Sequence, residues 1–365
     1  YSFEDKGGRD VTMVPEQTPS RARILADRKD LATPVKWCST SKRWRYESPQ
    51  KGRLREFYQT DIDIFGTDSV QADAEILAVT VEIMDRLDVL DAVDILVNDR
   101  RLLEGILAAY GIEEKEAVMD VIDDREKMSE EAFLAELEDA GLSGGEAGQV
   151  NELTGIAGLI SETLPEVRDL APDGEEAEEA VDRLEELATA LESYDVAGEV
   201  KLDLSIVRGL AYYTGLVFEV FDTEGELRAV CGGGRYDQLV GLFGGEDIPA
   251  VGFAVGDAVL EELMKREGVW PAEEVETDVY VLPVSEDVRG EALAIVEELR
   301  SAGNVVETDL MGRSVSAQFD YADAVNAEQV VVVGERDLEN GEVTVKDMET
   351  GEEENVARDD IGTAM

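Results

Sequence analysis

Residues 36–65 read Lys36-Trp-Cys-Ser-Thr-Ser-Lys-Arg-Trp-Arg-Tyr-Glu-Ser-Pro-Gln-Lys-Gly-Arg-Leu-Arg-Glu-Phe-Tyr-Gln-Thr-Asp-Ile-Asp-Ile-Phe65. Between Lys36 and Arg55 there are seven basic residues (Lys36, Lys42, Arg43, Arg45, Lys51, Arg53, Arg55) and one acid, Glu47. Phe57–Phe65 alternates with a period near two, the signature of a strand. Ser48-Pro-Gln-Lys-Gly52 supplies turn residues before it. Strand, loop and strand would aim several guanidinium groups at one face. Guanidinium grips phosphate or carboxylate with two parallel bonds, which an ammonium cannot do. The plain alternative is a basic patch that only balances neighbouring acids.

The rest of the chain has the opposite charge. Its 365 residues hold 33 Lys and Arg against 85 Asp and Glu, a formal net charge of −52 with a pI near 4.1. Hydrophobic residues make up 44%, too many for an acidic disordered tail and enough for a large core. Only ten of the 33 basic residues are Lys. Dense acidity with scarce Lys is expected of a halophilic protein, where concentrated counterions screen the self-repulsion, the plain alternative being an acidic mesophilic protein.

There is no histidine, which removes imidazole catalysis, His triads and His–metal sites. Cys38 and Cys231 are too few for a zinc site or a disulfide framework and fit a reducing cytoplasm. No apolar run approaches the roughly 20 residues of a membrane helix, and no secretory signal is visible. Chemistry must therefore run on Arg, Lys, carboxylates, Tyr and backbone groups.

Working outward, Asp10-Val-Thr-Met-Val14 reads as a strand. From Gln71 the spacing turns helical through Ala74, Leu77, Val81, Met84 and Leu87, with Asp68 or Ser69 as N-cap. Residues 114–195 read as helical and aromatic-poor, broken at Gly141-Leu-Ser-Gly-Gly145 and Pro172-Asp-Gly174, which predicts an inserted subdomain. Strand character returns at Val200–Leu204 and Thr214–Phe221. After Cys231-Gly-Gly-Gly-Arg-Tyr-Asp237, the run Gly252-Phe-Ala-Val-Gly256 leads into a helix. Residues 268–277 read as a linker. Beyond it, strands Val279–Val284, Val305–Thr308 and Gln329–Gly334 alternate with helices Asp287–Ala302 and Ser314–Asn326. A hairpin around Asn340-Gly341 follows, and the whole predicts a small α/β domain with a mixed sheet.

Three more clusters could carry chemistry. Val207-Arg-Gly-Leu-Ala-Tyr-Tyr-Thr-Gly215 sets Arg208 among glycines and a tyrosine pair, where backbone can approach a ligand and hydroxyls can donate. Ordinary aromatic packing on a strand would read the same way. Gly232-Gly-Gly-Arg-Tyr-Asp237 is equally the composition of a tight turn. Pro15-Glu-Gln-Thr18 is a polar cluster at a strand end.

In this order the four elements resemble the histidyl-tRNA synthetases of class II. Trp44 to Gln59 is similar to the second class motif with its loop. Arg208-Gly-Leu-Ala-Tyr-Tyr-Thr-Gly215 and Gly233-Gly-Arg-Tyr-Asp237 resemble the two signatures of histidine-specific members, and Pro15-Glu-Gln-Thr18 the amino-acid-binding turn. The resemblance implies an α+β class II catalytic core, an antiparallel sheet flanked by helices, over residues 1–113 and 196–267. It implies a helical insertion at 114–195, a linker at 268–277 and an anticodon-binding α/β domain at 278–365. It also implies ATP with Mg²⁺ (whose ligands the sequence does not name), L-histidine, tRNA(His), a cytoplasmic location, a homodimer in the full-length protein and no membrane. The first class motif has no match between residues 1 and 365.

Carried over by position, Arg45 would hold the ATP α-phosphate and Arg53 the distal phosphates. Arg208 would clamp the substrate carboxylate and α-phosphate, making Arg208 and Arg45 the catalytic residues. Glu16, Thr18 and Gln59 would receive the substrate ammonium. Asp63 and Tyr213 would read the imidazole, with Tyr212 and Tyr236 lining its pocket. Such a reaction needs no enzymic general base, because the substrate carboxylate is already the nucleophile. Val259 stands where the third class motif carries an arginine, Ala211 where many members have Asp, and Asp63 where bacterial members have Glu. Lys42, Gln50 and Lys51 are candidates for the tRNA acceptor end, and Arg313 and Arg336 for the anticodon side. The main rival reading is a non-catalytic paralogue, such as the regulatory subunit of ATP phosphoribosyltransferase; a nucleic-acid-binding module without catalysis would explain the Arg-rich loop but not the carboxylate and Tyr cluster.

Overall fold

The computed structural model describes residues 1–28, 30–112, 115–171, 174–207, 212–271 and 277–364. Contacts divide the chain into two units, Tyr1–Trp270 and Pro271–Met365.

In the first unit a two-stranded ribbon, β1 (Ser2–Glu4) with β2 (Asp10–Thr12), precedes helix α1 (Thr18–Asp27). The main sheet contains β3 (Val35–Trp44), β4 (Glu56–Phe65), β5 (Val93–Asp99), β6 (Ala157–Leu159), β7 (Val200–Asp203), β8 (Leu216–Asp222), β9 (Cys231–Arg235) and β10 (Ala250–Gly256). Its eight strands run in the order β3-β4-β10-β9-β8-β5-β7-β6. The sheet differs from the expected antiparallel arrangement at one place, since β5 and β7 pair in parallel. Helices α2 (Val70–Arg86), α3 (Arg100–Ala109), α4 (Lys115–Asp123), α5 (Glu130–Asp139), α6 (Gly144–Leu153), α7 (Ile160–Leu170), α8 (Glu175–Ser193) and α9 (Asp257–Glu267) complete the unit. The cap of α2 is Ser69, whose hydroxyl accepts from the Gln71 N–H at 3.2 Å.

Period-two alternation decides what each face of the sheet does. Leu216, Phe218 and Val220 of β8, with Val251, Phe253 and Val255 of β10, join the main core with Ile76, Leu77 and Met84 of α2 and Leu184, Leu187 and Leu191 of α8. The intervening residues face the other way. There Val217 and Ala250 pack with Ala22 and Leu25 of α1 and with Tyr213 and Tyr236. Helices α7 and α8 belong to the main core, whereas α4, α5 and α6 gather around Leu103 and Leu107 of α3 in a separate cluster. The helical stretch also contains β6, which pairs with β7 and which the sequence did not reveal. Three residues cannot set up a readable alternation.

In the second unit β11 (Thr277–Pro283), β12 (Val306–Thr308), β13 (Ala327–Val333), β14 (Glu342–Asp347) and β15 (Glu353–Ala357) form a sheet in the order β12-β11-β13-β14-β15. The first three strands are parallel and the last two antiparallel, a mixed sheet as expected. Helices α10 (Arg289–Ala302), α11 (Val315–Ala324), α12 (Glu335–Glu339) and α13 (Ile361–Ala364) accompany it. Asn340-Gly341 is not a hairpin turn. It ends the short helix α12, with Gly341 at φ 74°, and the hairpin lies one strand later, where Gly351 also has φ 74°. Asn-Gly serves a helix C-terminus as well as a hairpin, because both need the left-handed conformation that glycine adopts without strain. None of the described helices is long and apolar enough to cross a membrane.

Candidate active site

On the α1 side of the main sheet lies a cavity of about 480 Å³, a volume suited to small-molecule ligands. Small residues make the room: Gly232 of β9, and Gly252, Ala254 and Gly256 of β10, all line it. Gly252 is closely enclosed. A Cβ there would collide with Asp63 Oδ1 and lie 2.5 Å from the Ile62 carbonyl oxygen and 2.7 Å from the Tyr236 hydroxyl. The glycine run read as a possible turn is strand β9, kept bare for close approach: a Cβ on Gly233 would meet the Gly252 carbonyl oxygen, and one on Gly234 would lie 2.8 Å from Tyr213 Cδ1.

Sequence positions far apart meet here. Glu16 and Thr18 come from the start of α1, Arg45, Arg53, Gln59 and Asp63 from the β3–β4 hairpin, and Tyr212, Tyr213 and Tyr236 from the segments around β8 and β9. All nine candidates line the same cavity. Arg208, the remaining candidate for catalysis and for both substrates, lies outside the described residues, as does Ala211.

The tyrosines form one aromatic wall. Tyr212 and Tyr213 have ring centroids 5.0 Å apart, and Tyr236 meets Tyr212 edge to face at 5.9 Å. The Tyr212 hydroxyl donates to Glu16 Oε1 and that of Tyr236 to Asp63 Oδ1. Burial, reinforced by Tyr213 and Tyr212, pushes the Tyr236 phenol well above its ordinary value, so it stays a neutral donor. The second Asp63 oxygen accepts from Arg21 Nη1, and Arg21 Nη2 donates to the Asp61 carbonyl at 3.2 Å. Sequence reading missed Arg21. Its signal was the spacing Thr18, Arg21, Ala22, Leu25, the buried stripe of α1.

The Arg-rich hairpin behaves differently from the expectation of a shared anion-binding face. Five of its seven cations are ion-paired: Lys36 with Glu75, Lys42 with Glu56, Arg43 with Asp61, Lys51 with Glu262 and Arg53 with Glu47. Register explains the sorting. Ser39 faces Asp61, Ser41 faces Gln59 and Arg43 faces Phe57, so odd positions share the cavity side while Lys36 and Lys42 fall on the other. Arg43 is fully buried against Asp61. Arg45 donates to the Pro15 carbonyl at 3.1 Å and to Gln59 Oε1 at 3.2 Å, with its guanidinium 5.1 Å from the Phe57 ring. Gln59 in turn donates to Asp61 Oδ1 at 2.8 Å. Lys42, Gln50 and Lys51 are not among the residues lining the cavity. Arg313 is paired with Asp309 at 3.1 Å and lies 4.3 Å from the Tyr321 ring, and Arg336 is exposed.

Arg235 is a structural anchor. Fully buried, it donates to Asp73 Oδ1 from Nε at 3.0 Å and Nη2 at 2.7 Å, and to Asp237 from Nη1 at 3.1 Å. This ties the end of β9, next to Tyr236, to the first turn of α2. Burial raises the Asp73 carboxyl to about 6, with Arg235 and Arg183 pulling the other way. Glu219 and Arg228 also line the cavity and were not singled out in the sequence. The alternation of Leu216, Phe218 and Val220 into the core would have turned Glu219 toward the site. Among the described residues no group of three or more carboxylates or cysteines is set to hold a metal ion.

This large mixed sheet, with a polar, arginine- and tyrosine-lined site on one face and a separate α/β unit after it, has the architecture of a class II aminoacyl-tRNA synthetase. Residues 1–259 match the histidyl-tRNA synthetase family model, and residues 278–365 match that of the anticodon binding domain. The chain belongs to the histidyl-tRNA synthetase family. It is 47% identical to the histidine–tRNA ligase of Haloarcula marismortui, over 98% of this chain and 82% of that protein. It is 44% identical to the histidine–tRNA ligase of Thermoplasma volcanium, over 99% of this chain and 83% of that one. The crystal structure of histidyl-tRNA synthetase from Nostoc sp. PCC 7120 superposes with a TM-score of 0.84 at 27% identity, covering 100% of this chain and 86% of that one.

Proposed function

We propose that the chain is a histidine–tRNA ligase that activates L-histidine with ATP and transfers the histidyl group to tRNA(His) in the cytoplasm, as a homodimer in the full-length protein. The observation that carries this reading is the convergence of Glu16, Gln59, Asp63 and three tyrosines with Arg45 and Arg53 on one cavity. Glu16, Thr18 and Gln59 bind the substrate ammonium. Asp63, held by Arg21 and Tyr236, keeps further lone pairs for an imidazole N–H, and Tyr213 reads the ring from the aromatic wall. Polar readout of both ring nitrogens rejects other side chains strongly, because they would leave buried polar groups unpaired.

The substrate carboxylate attacks the α-phosphorus in line, a new O–P bond forms and pyrophosphate leaves. Arg45 neutralises charge on the α-phosphate, Arg53 engages the distal phosphates after exchanging Glu47 for them, and Arg208 is assigned to the substrate carboxylate and the α-phosphate. The terminal ribose hydroxyl of the tRNA then attacks the acyl carbon and AMP departs. Mg²⁺ keeps most of its water and takes few protein ligands, so the site suits an ion that arrives on the phosphates, with Glu219 as its carboxylate; it would neutralise the departing pyrophosphate. Of the stretch 114–195 expected to be a helical insertion, we assign that role to α4–α6, since α7, α8 and β6 pack into the main core and sheet, and we assign 278–365 to anticodon binding, with Arg313 and Arg336 on that side. Lys42, Gln50 and Lys51 are assigned to the acceptor end, where Lys42 and Lys51 must exchange carboxylate partners for phosphate.

The test is charging. With ATP, Mg²⁺ and radiolabelled histidine in concentrated KCl, the full-length protein should charge tRNA(His) and form adenylate without it. A non-catalytic paralogue would bind histidine and form no adenylate, which would refute the reading.

A further inference from the structure

Most charges around the cavity are already paired. Asp61 is neutralised by Arg43, Asp63 by Arg21 and Glu47 by Arg53. Arg45 is tethered to Pro15 and Gln59. Arg228 is different. It sits in the connection between β8 and β9, lines the cavity and is exposed. Among the described residues it has no hydrogen bond, ion pair or ring contact. The first turn of α9, which lines the cavity through Ala258 and Val259, brings no cation; its one charged residue before Val259 is the acidic Asp257. Val259 is occupied with packing, since a Cβ on Gly52 of the hairpin loop would lie 3.2 Å from Val259 Cγ2.

We propose that Arg228 is a substrate-contacting residue that binds the polyphosphate of ATP and the leaving pyrophosphate, supplying the cation that position 259 lacks. An unpaired guanidinium needs to break no existing ion pair before gripping phosphate, unlike Arg53. Its place in the connection just before Ala229 and Val230 lets its long side chain reach the cavity edge, where a phosphate chain stays partly hydrated. The proposal rests on the ATP-dependent reading of this site but can be tested apart from it.

The experiment compares the parent protein with R228A and R228K in two assays in concentrated KCl. The first is histidine-dependent ATP–pyrophosphate exchange, and the second is calorimetric titration with inorganic tripolyphosphate. R228A should raise the KM for ATP about tenfold or more while the KM for histidine stays within about twofold, as expected for loss of a charge-assisted phosphate contact. R228K should recover part of the loss, and tripolyphosphate affinity should fall in the same order. A purely structural role would shift both KM values together and would overturn the proposal, as would an R228A protein that matches the parent in both assays. If the parent shows no exchange but binds tripolyphosphate through Arg228, the ligase reading fails and the phosphate site stands. If the parent binds no tripolyphosphate, the phosphate site falls.

Discussion

Arg21 of α1 and Asp63 of β4, separated by 42 residues in sequence, form a buried ion pair at the floor of the cavity. Side-chain exposures of 5% and 2% keep both charges largely out of bulk water. Removing one partner of such a pair strands the other. Arg21→Ala should therefore cost about 3–5 kcal/mol of stability. Urea unfolding in concentrated KCl reads this directly, and a loss below about 1 kcal/mol would mean that Asp63 is neutralised by something other than Arg21.

The Tyr212 hydroxyl bonded to Glu16 links the aromatic wall to the carboxylate assigned to the substrate ammonium. Tyr212→Phe should raise the KM for histidine roughly tenfold or more, the worth of one hydrogen bond to a charged group, and leave the KM for ATP within about twofold. Steady-state pyrophosphate exchange separates the two constants. Equal rises in both would place Tyr212 outside amino-acid recognition.

Gly252 pairs in register with Asp63 and has no room for a methyl group. Gly252→Ala should push Asp63 and Tyr236 apart, costing about 1–3 kcal/mol of stability and weakening histidine binding. Unfolding and histidine titration of the same preparation check it. Unchanged histidine affinity would show that the Asp63–Tyr236 contact does not shape the substrate site.

Asp73 gives a pH dependence with a definite sign. Its carboxyl is raised by burial to about 6 in the folded protein, against an ordinary 3.8. Between those values the folded chain holds a proton that the unfolded chain has released. The contribution of this group is full below 3.8 and is lost as pH climbs through about 6, up to about 3 kcal/mol. Asp73→Asn, an isostere of the protonated carboxyl, should flatten that part of the stability-against-pH curve. An unchanged curve would mean that the Asp73 carboxylate stays ionised throughout.

The hairpin and its loop, the Ser69 cap and the strand–helix alternation after residue 277 were legible because each is local. The nine cavity-lining candidates were legible through motif resemblance rather than composition. What stayed hidden depended on register and pairing. Nothing local distinguishes Arg43, buried against Asp61, from Arg45, which borders the cavity, although both lie on one strand face. Arg21 looks like one more helix arginine until α1 is laid over β4. The glycines of β9 looked like a turn because their use, the close approach of β10 and the tyrosines, is a tertiary fact. Asn340-Gly341 misled because one backbone conformation serves two kinds of ending.

All of these roles require that one cavity select an imidazole-bearing amino acid and join it to a nucleotide. Pyrophosphate exchange in concentrated KCl, run separately with each of the twenty amino acids, tests it most directly. Histidine alone should support exchange in the parent protein, and Asp63→Ala should abolish it. Exchange with a different amino acid, or with histidine undiminished in Asp63→Ala, would contradict that requirement.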